Sequence, residues 1–390
     1  MRSLVSSLDP LWPCISRYLL VALVTAAALG GCGESPDSST PDSSIVIDRE
    51  VRLEGMKGTP QAIVRTSDGG FVIAGSWGNG WAAGTTSTGT VRWRYADPES
   101  ERSPVASGFN GAVALADGNV LLCGQHHRQA LVTILDENGQ LVERRDILPP
   151  DGNAAIFLSS IHQCLRWNDG VALVGGGSDG RQPSFWLVKL DKNGREEWGR
   201  VSDGMAASSA IQAPNGDLII ARTEMRRSEL ARFDHLGNRV GRRLIEGLSL
   251  QTMLLRPSGA AAEYALAVRY GETFGDVTML TLTKELQDAR GPIHIAPVSI
   301  GFPVGSGYAL PDGSGALFGV ARGQSAVARV GGHGKSDVVH VFPRPDVGGA
   351  TVSVGDAVPI SGNQFVAVRD EVTAGTAGRS SMVLSWVTFQ

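Results

Sequence analysis

The sequence predicts an all-β protein: a seven-bladed β-propeller of four-stranded antiparallel blades, closed by an N-terminal outer strand. A unit of two hairpins recurs along the chain, and the glycine of its first turn returns at intervals of 43 to 54 residues. These seven glycines are Gly69, Gly118, Gly170, Gly216, Gly259, Gly313 and Gly362. Repeats of this length are typical of propeller blades. The 50 glycines and the low aromatic content, 6%, also suit a turn-rich β protein.

The third repeat shows the four strands of the unit most clearly. Its first strand leads into the turn Asn168-Asp169-Gly170, and turns of this kind are a strong hairpin signal because their central residues need positive φ. The second strand covers residues 171–174 and the third covers residues 186–190. A second tight turn at Gly194 leads to the fourth strand, which contains Trp198. Copies five and six are degenerate, and Leu286 stands where copy five should have its second glycine.

The two ends of the repeat region predict how the ring closes. The last copy stops after its third strand, residues 382–389, whereas residues 45–54 form a surplus strand in front of the first copy. Placing the surplus strand as the outer strand of the last blade closes the ring and removes both open edges. We therefore expect residues 44–390 to form one propeller.

The segment before the repeats has the features of a targeting sequence. Residues 18–29 are a 12-residue apolar run, too short for a membrane span and suited to a signal peptide. The run ends in Leu29-Gly30-Gly31-Cys32, which resembles the lipobox of bacterial lipoproteins. The resemblance implies that residues 1–31 are removed and that membrane lipid is attached through Cys32. The alternative is an ordinary secretory signal with a chance cysteine.

Residues 32–43 are rich in Ser, Pro and Asp and are predicted to be a flexible tether between lipid and propeller. The lipobox resemblance also implies a location, because Gly33 rather than Asp follows the cysteine. We expect a lipid-anchored protein of the bacterial cell envelope, at the outer membrane and facing the periplasm.

The repeat itself resembles the Asp-x-x-Gly-x-x-x-Trp repeats of quinoprotein-like bacterial propellers, as in Asp191, Gly194 and Trp198. It is also similar in plan to the propeller lipoprotein of the outer-membrane β-barrel assembly machine. These motifs are structural and imply blades rather than an activity. Quinoprotein dehydrogenases, as a family, have eight blades and a vicinal cysteine pair, whereas this chain has seven repeats and no adjacent cysteines. We therefore predict no cofactor.

The charge of the chain excludes one class of partner. The formal net charge is -4 and no basic stripe is visible, so a nucleic-acid partner is not expected. We expect a monomer whose partners are the membrane lipid and an unknown protein or glycan of the envelope.

Two cysteines and three histidines fall near one rim of the predicted ring. Cys123 ends a second strand, and Cys164 lies in the first strand of the next repeat. His126, His127 and His162 lie nearby in the sequence. Three alternatives are open: two buried free thiols, a disulfide between blades, or a zinc or copper site with the histidines. The stretches Asp136 to Gly139 and Asp191 to Gly194 superficially match a calcium loop, but tight turns account for them. We predict no metal site.

Arginines replace glycines at one position of the repeat. The second strand ends in glycine in copies one to three, and the same place holds Arg222, Arg269, Arg322 and Arg369 in copies four to seven. Arginine forks suit carboxylate, phosphate or sulfate groups, so the four could form a half-ring that binds an anion. The alternative is that each arginine pairs with a local acid.

No catalytic motif is visible, so we predict that the protein is not an enzyme but a binding or docking module for a protein or glycan. Trp77 and Trp81 are expected in loops, where aromatic and arginine side chains anchor interfaces. The alternative is a periplasmic hydrolase or lyase that acts on sugars or peptides in the central funnel. Converging buried acids at the funnel would favour the enzyme, and exposed aromatic residues at the rim would favour docking.

Overall fold

The computed structural model describes most of the repeat region. The described residues are 45–56, 58–76, 79–98, 108–148, 158–178, 183–203, 207–224, 227–246, 251–257, 264–270, 276–283, 285–295, 306–321, 324–330, 338–342, 352–372 and 380–390. They belong to one unit, Ser43–Gln390. No helix of the length and hydropathy needed to cross a membrane occurs among them.

The described residues form sheets that follow one another along the chain. The strands of the first four sheets are β2 (Thr59–Arg65), β3 (Phe71–Ser76), β4 (Gly80–Thr85) and β5 (Val91–Ala96); β6 (Gly108–Ala114), β7 (Val120–His126), β8 (Gln129–Leu135) and β9 (Leu141–Ile147); β10 (Leu158–Trp167), β11 (Gly170–Ser178), β12 (Pro183–Leu190) and β13 (Glu196–Asp203); and β14 (Ala207–Gln212), β15 (Leu218–Glu224), β16 (Arg227–Phe233) and β17 (Arg239–Glu246). Each is an antiparallel meander in which sequence neighbours pair.

The remaining strands complete three further sheets. They are β18 (Gln251–Leu254), β20 (Tyr264–Tyr270), β21 (Asp276–Leu282) and β22 (Asp288–Ile295); β19 (Arg256–Pro257), β23 (Ser306–Ala309), β24 (Gly315–Ala321), β25 (Gln324–Val330) and β26 (Val338–Val341); and β1 (Ile45–Leu53), β27 (Val352–Ser361), β28 (Gln364–Val372) and β29 (Ser380–Phe389).

The prediction of seven four-stranded antiparallel blades is wrong, because the structure has six blades of that kind. The sheet of β23 to β26 has five strands, and its additional strand β19 runs parallel to β23. The chain leaves β18 at Leu254 and crosses at Arg256 to pair with Tyr308 of the next sheet. A two-residue strand therefore bridges two sheets in the part of the sequence where the repeat is degenerate.

The predicted closure by an N-terminal outer strand is confirmed. β1 pairs antiparallel with β29 over its whole length, from Ile45 opposite Phe389 to Leu53 opposite Met382. β1 is the outer strand of the sheet that otherwise holds the C-terminal strands, in the order β1-β29-β28-β27. The edge of β29 is thereby covered by the other end of the chain.

The first strands of successive sheets contact one another in the order β27, β2, β6, β10, β14 and β18, so they line the middle of the propeller. The core lies between neighbouring sheets. Its clusters join the first sheet to the second, the second to the third, the third to the fourth and the fourth to the fifth. The closing sheet packs in the same way against both of its neighbours. The middle strands of each blade, such as β3 and β4, are buried on both faces, because a neighbouring sheet packs against each side.

The turns between third and fourth strands explain the aspartates that superficially match a calcium loop. In the second sheet, the Asp136 carboxylate accepts hydrogen bonds from the backbone N–H groups of Asn138 at 2.9 Å and Gln140 at 2.7 Å. The backbone closes the turn with Gly139 N to Asp136 O at 3.0 Å, and Gly139 has φ +77°. Asp191 makes the same contacts in the third sheet. The carboxylates are therefore used by their own turns.

Candidate functional site

A cavity of about 650 Å³ lies in the middle of the propeller. Its wall is formed by the first strands β2, β6, β10 and β14, together with Arg256, Asp356 and Val358. We call it the central channel. Ligand sites in many folds are concavities of this size with a few well-placed polar groups. The channel is therefore the candidate functional site.

Some polar groups of the wall are already used to hold neighbouring blades together. Gln163 makes a double hydrogen bond with Ala210, accepting from its N–H at 2.8 Å and donating to its carbonyl at 2.9 Å. Asn110 donates to the carbonyl of Ile161 at 2.8 Å. These side chains satisfy backbone groups of the adjacent blade. Their contribution is to fix the shape of the channel.

A cluster of three side chains from two sheets stands on one side of the channel: Arg256 and Tyr308 belong to the five-stranded sheet, and Asp356 belongs to the closing sheet. Nη1 of Arg256 donates to the hydroxyl of Tyr308 at 3.1 Å and to Oδ1 of Asp356 at 3.3 Å. Tyr308 in turn donates to the carbonyl of Ala357. The Asp356 carboxylate also accepts from the backbone N–H groups of Ile63 at 3.3 Å and of Ala357 itself at 2.8 Å. The aspartate is thus held by the guanidinium and by two backbone donors.

Burial and charge both act on the ionisation of this cluster. Burial raises the pKa of Asp356 above its usual value, although the nearby Arg256 opposes the shift. Burial also raises the pKa of Tyr308 to about 12, so its hydroxyl stays protonated and can donate. Burial alone would lower the pKa of Arg256, but the attraction of Asp356 outweighs it and raises that pKa. Arg256 is therefore permanently charged.

The wall carries more positive than negative charge. Arg65, Arg166 and Arg256 line the channel, and Asp356 is the single carboxyl group among the described lining residues. Arg65 donates to the carbonyl of Ile360 at 3.2 Å and Arg166 donates to that of Ala114 at 2.7 Å. Because backbone carbonyls carry no net charge, these hydrogen bonds do not neutralise the positive charge of Arg65 and Arg166. The channel is suited to a negatively charged ligand.

Two of the four arginines singled out in the sequence are buried in ion pairs. Arg222 is 4% exposed and its Nη2 lies 2.5 Å from Oε1 of Glu229, which is directly opposite it on β16. Arg369 is 3% exposed and bonds to Glu371 and Glu50 at 2.5 and 2.6 Å. Neither side chain is available to a ligand at the rim. Arg222 and Arg369 therefore follow the alternative in which each arginine pairs with an acid. Their acidic partners could not be identified from the sequence.

The remaining candidate binding residues are Trp77, Trp81, Arg269 and Arg322, together with the lipid-attachment residue Cys32, and the structure describes only some of them. Trp81 lies in β4 and is 8% exposed, packed in the core beside Gly75, so its expected place in an interface loop is wrong. The backbone of Arg269 lies in β20, opposite Gln251 and Val277, but its side chain is not described. Trp77, Arg322 and Cys32 lie outside the described residues.

Cys123 and Cys164 form a disulfide that joins the second and third sheets, with their Cα atoms 6.2 Å apart. Of the three alternatives, the structure thus shows the bonded one. His126 stacks on His127 at 3.9 Å between ring centroids. Among the described residues, no group of three His, Cys, Asp or Glu side chains is placed to hold a metal ion.

Sequence reasoning missed Arg256, Tyr308 and Asp356. Arg256 and Tyr308 are 52 residues apart, and Tyr308 and Asp356 are 48 apart, so each spacing is close to one repeat length. The repeat nevertheless does not predict their contact, because β19, which carries Arg256, departs from the repeat. The sequence contains one weak signal for this departure. Arg256 is followed by a proline in a degenerate copy, and a proline cannot continue an inner strand as a hydrogen-bond donor.

Comparisons with known proteins identify the fold. No family model and no curated protein matches the chain. The solved structure of polysaccharide lyase Uly1 is 10% identical with a TM-score of 0.59, covering 88% of this chain and 100% of that one. A catalytically inactive virginiamycin B lyase from Staphylococcus aureus, solved with quinupristin, is 9% identical with a TM-score of 0.57, covering 89% and 100%.

A third solved structure, the Dos1 propeller, is 7% identical with a TM-score of 0.50 and covers 88% of this chain and 95% of that one. At such identities these likenesses show the fold alone. They agree with the strand order in assigning the chain to the β-propellers. The propellers that resemble it include enzymes, and they leave both an enzymatic and a binding role open.

Proposed function

We propose that this chain is a non-enzymatic binding module of the bacterial cell envelope, anchored by lipid on Cys32, which docks a protein or glycan partner at its central channel. The observation that carries the proposal is the positive charge of the channel wall, with three arginines against one aspartate among the described lining residues. Charged concave sites concentrate and orient partners of opposite charge.

A second candidate function is a hydrolase or lyase that acts in the same channel. It is favoured by Asp356, a buried carboxyl group with a raised pKa beside the cavity, as general acids require. Two similar propellers are also lyases by name. Against it, Asp356 is held by Arg256 and by two backbone donors, and a second carboxyl group is missing from the described lining residues. Binding is therefore the better-supported function.

The docking proposal is tested in cells with a photo-crosslinking amino acid at one residue of the intact chain. Ser67 is exposed and lines the channel, whereas Thr88 is an exposed turn residue that does not line it. We expect a discrete covalent adduct from Ser67 and none from Thr88, with the partner recovered intact. Equal adducts from both positions, or none from Ser67, would contradict docking at the channel. A partner recovered cleaved would favour the hydrolase or lyase.

The anchoring part of the proposal is tested separately. Cys32→Ser should abolish labelling by a fatty-acid probe and leave either soluble protein or an uncleaved precursor, because the thioether that carries the lipid cannot form. Equal labelling of the variant and the wild type would refute anchoring through Cys32.

A further inference from the structure

We infer that the free edge of the Arg256 guanidinium, formed by Nε and Nη2, binds a carboxylate group of the ligand inside the central channel. The inference rests on the proposed binding function and deepens it, because it names the chemical group that the channel recognises. It follows from three features of the structure: the geometry of Arg256, the way in which it is held, and the charge around it.

The geometry leaves one side of Arg256 unused. Its hydrogen bonds to Tyr308 and Asp356 both come from Nη1. Within the described part of the chain, Nε and Nη2 have no hydrogen-bond partner. These two nitrogens lie on one edge of the planar group, and such an edge binds both oxygens of a carboxylate at once. The side chain is 37% exposed and lines the channel, so a ligand can reach it.

The guanidinium is held in place before a ligand arrives. Asp356, which is 4% exposed, is fixed by two backbone N–H groups and holds Nη1 in turn. Tyr308, which is 2% exposed, supplies the second contact, and the guanidinium carbon lies 5.7 Å from the centre of its ring. An exposed arginine loses much rotamer freedom when it binds, whereas Arg256 has already lost most of it. Fixed donors of this kind favour binding.

The charge next to Arg256 favours a group that carries a single negative charge at this edge, whatever the charge on the rest of the ligand. Asp356 already neutralises the charge next to Arg256, so a doubly charged phosphate would place its second charge near a buried carboxylate. A carboxylate carries one charge and matches the two-donor edge. Arg65 and Arg166 add attraction from other parts of the channel wall, where they donate to backbone carbonyls. A carboxylate is therefore favoured over phosphate.

The test is a calorimetric titration of the full-length protein in detergent with three probes. Tricarballylate presents free carboxylates, an N-acetylated and C-amidated hexaglutamate presents them on a peptide, and inorganic phosphate is the competing anion. We expect one or both carboxylate probes to bind more tightly than phosphate. The carboxylate probe that binds more tightly identifies the source of the group, a small acid or an acidic peptide segment.

Variants locate the binding group. Arg256→Gln should weaken carboxylate binding by about 10- to 100-fold, the range expected for losing charge-assisted hydrogen bonds. Arg256→Lys keeps the charge beside Asp356 but loses the two-donor edge, and should weaken binding about tenfold. Arg200→Gln is the matched control, since Arg200 is an exposed arginine of β13 outside the channel wall and its loss should leave binding unchanged.

The double variant Arg256→Gln with Asp356→Asn guards against misfolding, because it removes both charges of the pair together. If it melts cooperatively and still fails to bind carboxylates, the inference holds. Equal binding by wild type and Arg256→Gln, tighter binding of phosphate, or no carboxylate binding at all would overturn it. If the inference fails in this way but Ser67 still gives a crosslinked adduct, docking at the channel remains supported. If a bound probe is chemically converted, the protein is an enzyme and the non-enzymatic proposal is wrong, but Arg256 can still bind the carboxylate.

Discussion

The turn between β2 and β3 surrounds the carboxylate of Asp68 with hydrogen-bond donors. The hydroxyl of Thr66 lies 2.5 Å from Oδ1, the backbone N–H of Gly70 lies 3.1 Å from the same oxygen, and Nη1 of Arg92 lies 2.5 Å from Oδ2. The hydrogen bond from Thr66 contributes most to lowering the pKa of Asp68 from 3.8 to about 2. The turn therefore favours the charged form of the acid.

This shift predicts an acid-dependent loss of stability. A depressed pKa contributes stability that is present above the unfolded value of 3.8 and is lost as the pH falls through about 2. Because the side chain is 50% exposed, the contribution is below about 1 kcal/mol. We expect wild-type protein to lose this much stability between pH 4 and 2, and Asp68→Asn to lose less over the same range.

Thermal melting at several pH values between 2 and 7 checks the expectation. Asp117→Asn is the matched control, since Asp117 lies in the corresponding turn of the next sheet and accepts hydrogen bonds from Asn119 rather than from an arginine. An Asp68→Asn curve that runs parallel to that of wild type down to pH 2 would show that the turn does not stabilise the carboxylate.

Residue identity alone was a poor guide to the site. The sequence indicated correctly that Arg222 and Arg369 stand at equivalent strand positions, but it did not show that Glu229 and Glu50, from other strands, lie beside them in the folded sheets. A partner on a neighbouring strand depends on register, which the sequence defines only approximately. Arg256 was missed for a different reason: its acidic partner comes from another sheet, and its tyrosine partner lies beside it only because the irregular strand β19 pairs with β23.

At the scale of strands and turns, two tryptophans on fourth strands, Trp93 and Trp198, each connect their blade to the next. The ring of Trp93 on β5 lies against Gly139, and its Nε1 donates to the carbonyl of Glu137 at 2.9 Å, in the turn that precedes β9. Trp198 lies against Gly237 in the same way. A Cβ atom added to Gly139 would lie 2.5 Å from Cδ2 of Trp93. The repeat motif of aspartate, glycine and tryptophan thus describes contacts between blades as well as turns.

This contact predicts different effects for two glycines with the same backbone conformation. Gly139 and Gly118 both have positive φ, +77° and +90°, so alanine strains both turns by a similar amount. A Cβ at Gly118 would meet nothing within 4 Å. We expect Gly139→Ala to lower the free energy of unfolding by about 1–3 kcal/mol more than Gly118→Ala, as overpacking against the tryptophan predicts. Denaturant titration measures the difference.

A Trp93→Ala background supplies the control for this pair. Removing the ring should bring the two glycine substitutions to the same effect, because only the backbone strain then remains. If Gly139→Ala and Gly118→Ala are equal when Trp93 is present, the ring does not press on the turn.

The turns were the most predictable elements, including one without glycine. Leu286 stands where the fifth copy lacks its glycine, yet it adopts φ +63° and closes the same turn by donating to Thr283 O at 2.9 Å. Its side chain is 1% exposed in the core, and this burial offsets the strain of the backbone. The repeat spacing therefore predicted the turn. The crossing at β19 was not predictable, since it depends on packing around the channel rather than on a local pattern.

At the scale of the whole molecule, the sequence predicted the closure of the ring because it depends on counting strands. A missing last strand and a surplus first strand can be read without coordinates, and β1 pairs with β29 as expected. The structure adds the charged contacts that accompany the pairing. Glu50 of β1 lies 2.6 Å from Arg369, and Arg52 lies 2.8 Å from Glu371. Both partners on β28 are buried.

Removal of residues 45–53 should therefore destabilise the propeller in two ways. The edge of β29 loses its paired strand and offers free backbone groups to other molecules. The buried Arg369 and Glu371 also each lose one ionic partner but keep each other. Because Glu50 and Arg52 are partly exposed, this loss costs less than the roughly 3–5 kcal/mol typical of a fully buried pair. We expect the shortened protein to melt at lower temperature and to associate on size-exclusion chromatography.

Two further variants distinguish the loss of the closing strand from the shortening of the chain. Deletion of residues 33–43 removes a segment of similar length and should leave the melting temperature unchanged. Glu50→Gln keeps the backbone pairing of β1 but weakens its contact with Arg369, so it should lower stability by less than the deletion and should not cause association. A synthetic peptide of residues 45–53 should restore a monomer to the shortened protein, because it can pair with β29 in the same register. A shortened protein that stays monomeric and melts like wild type would show that the ring does not depend on its N-terminal strand.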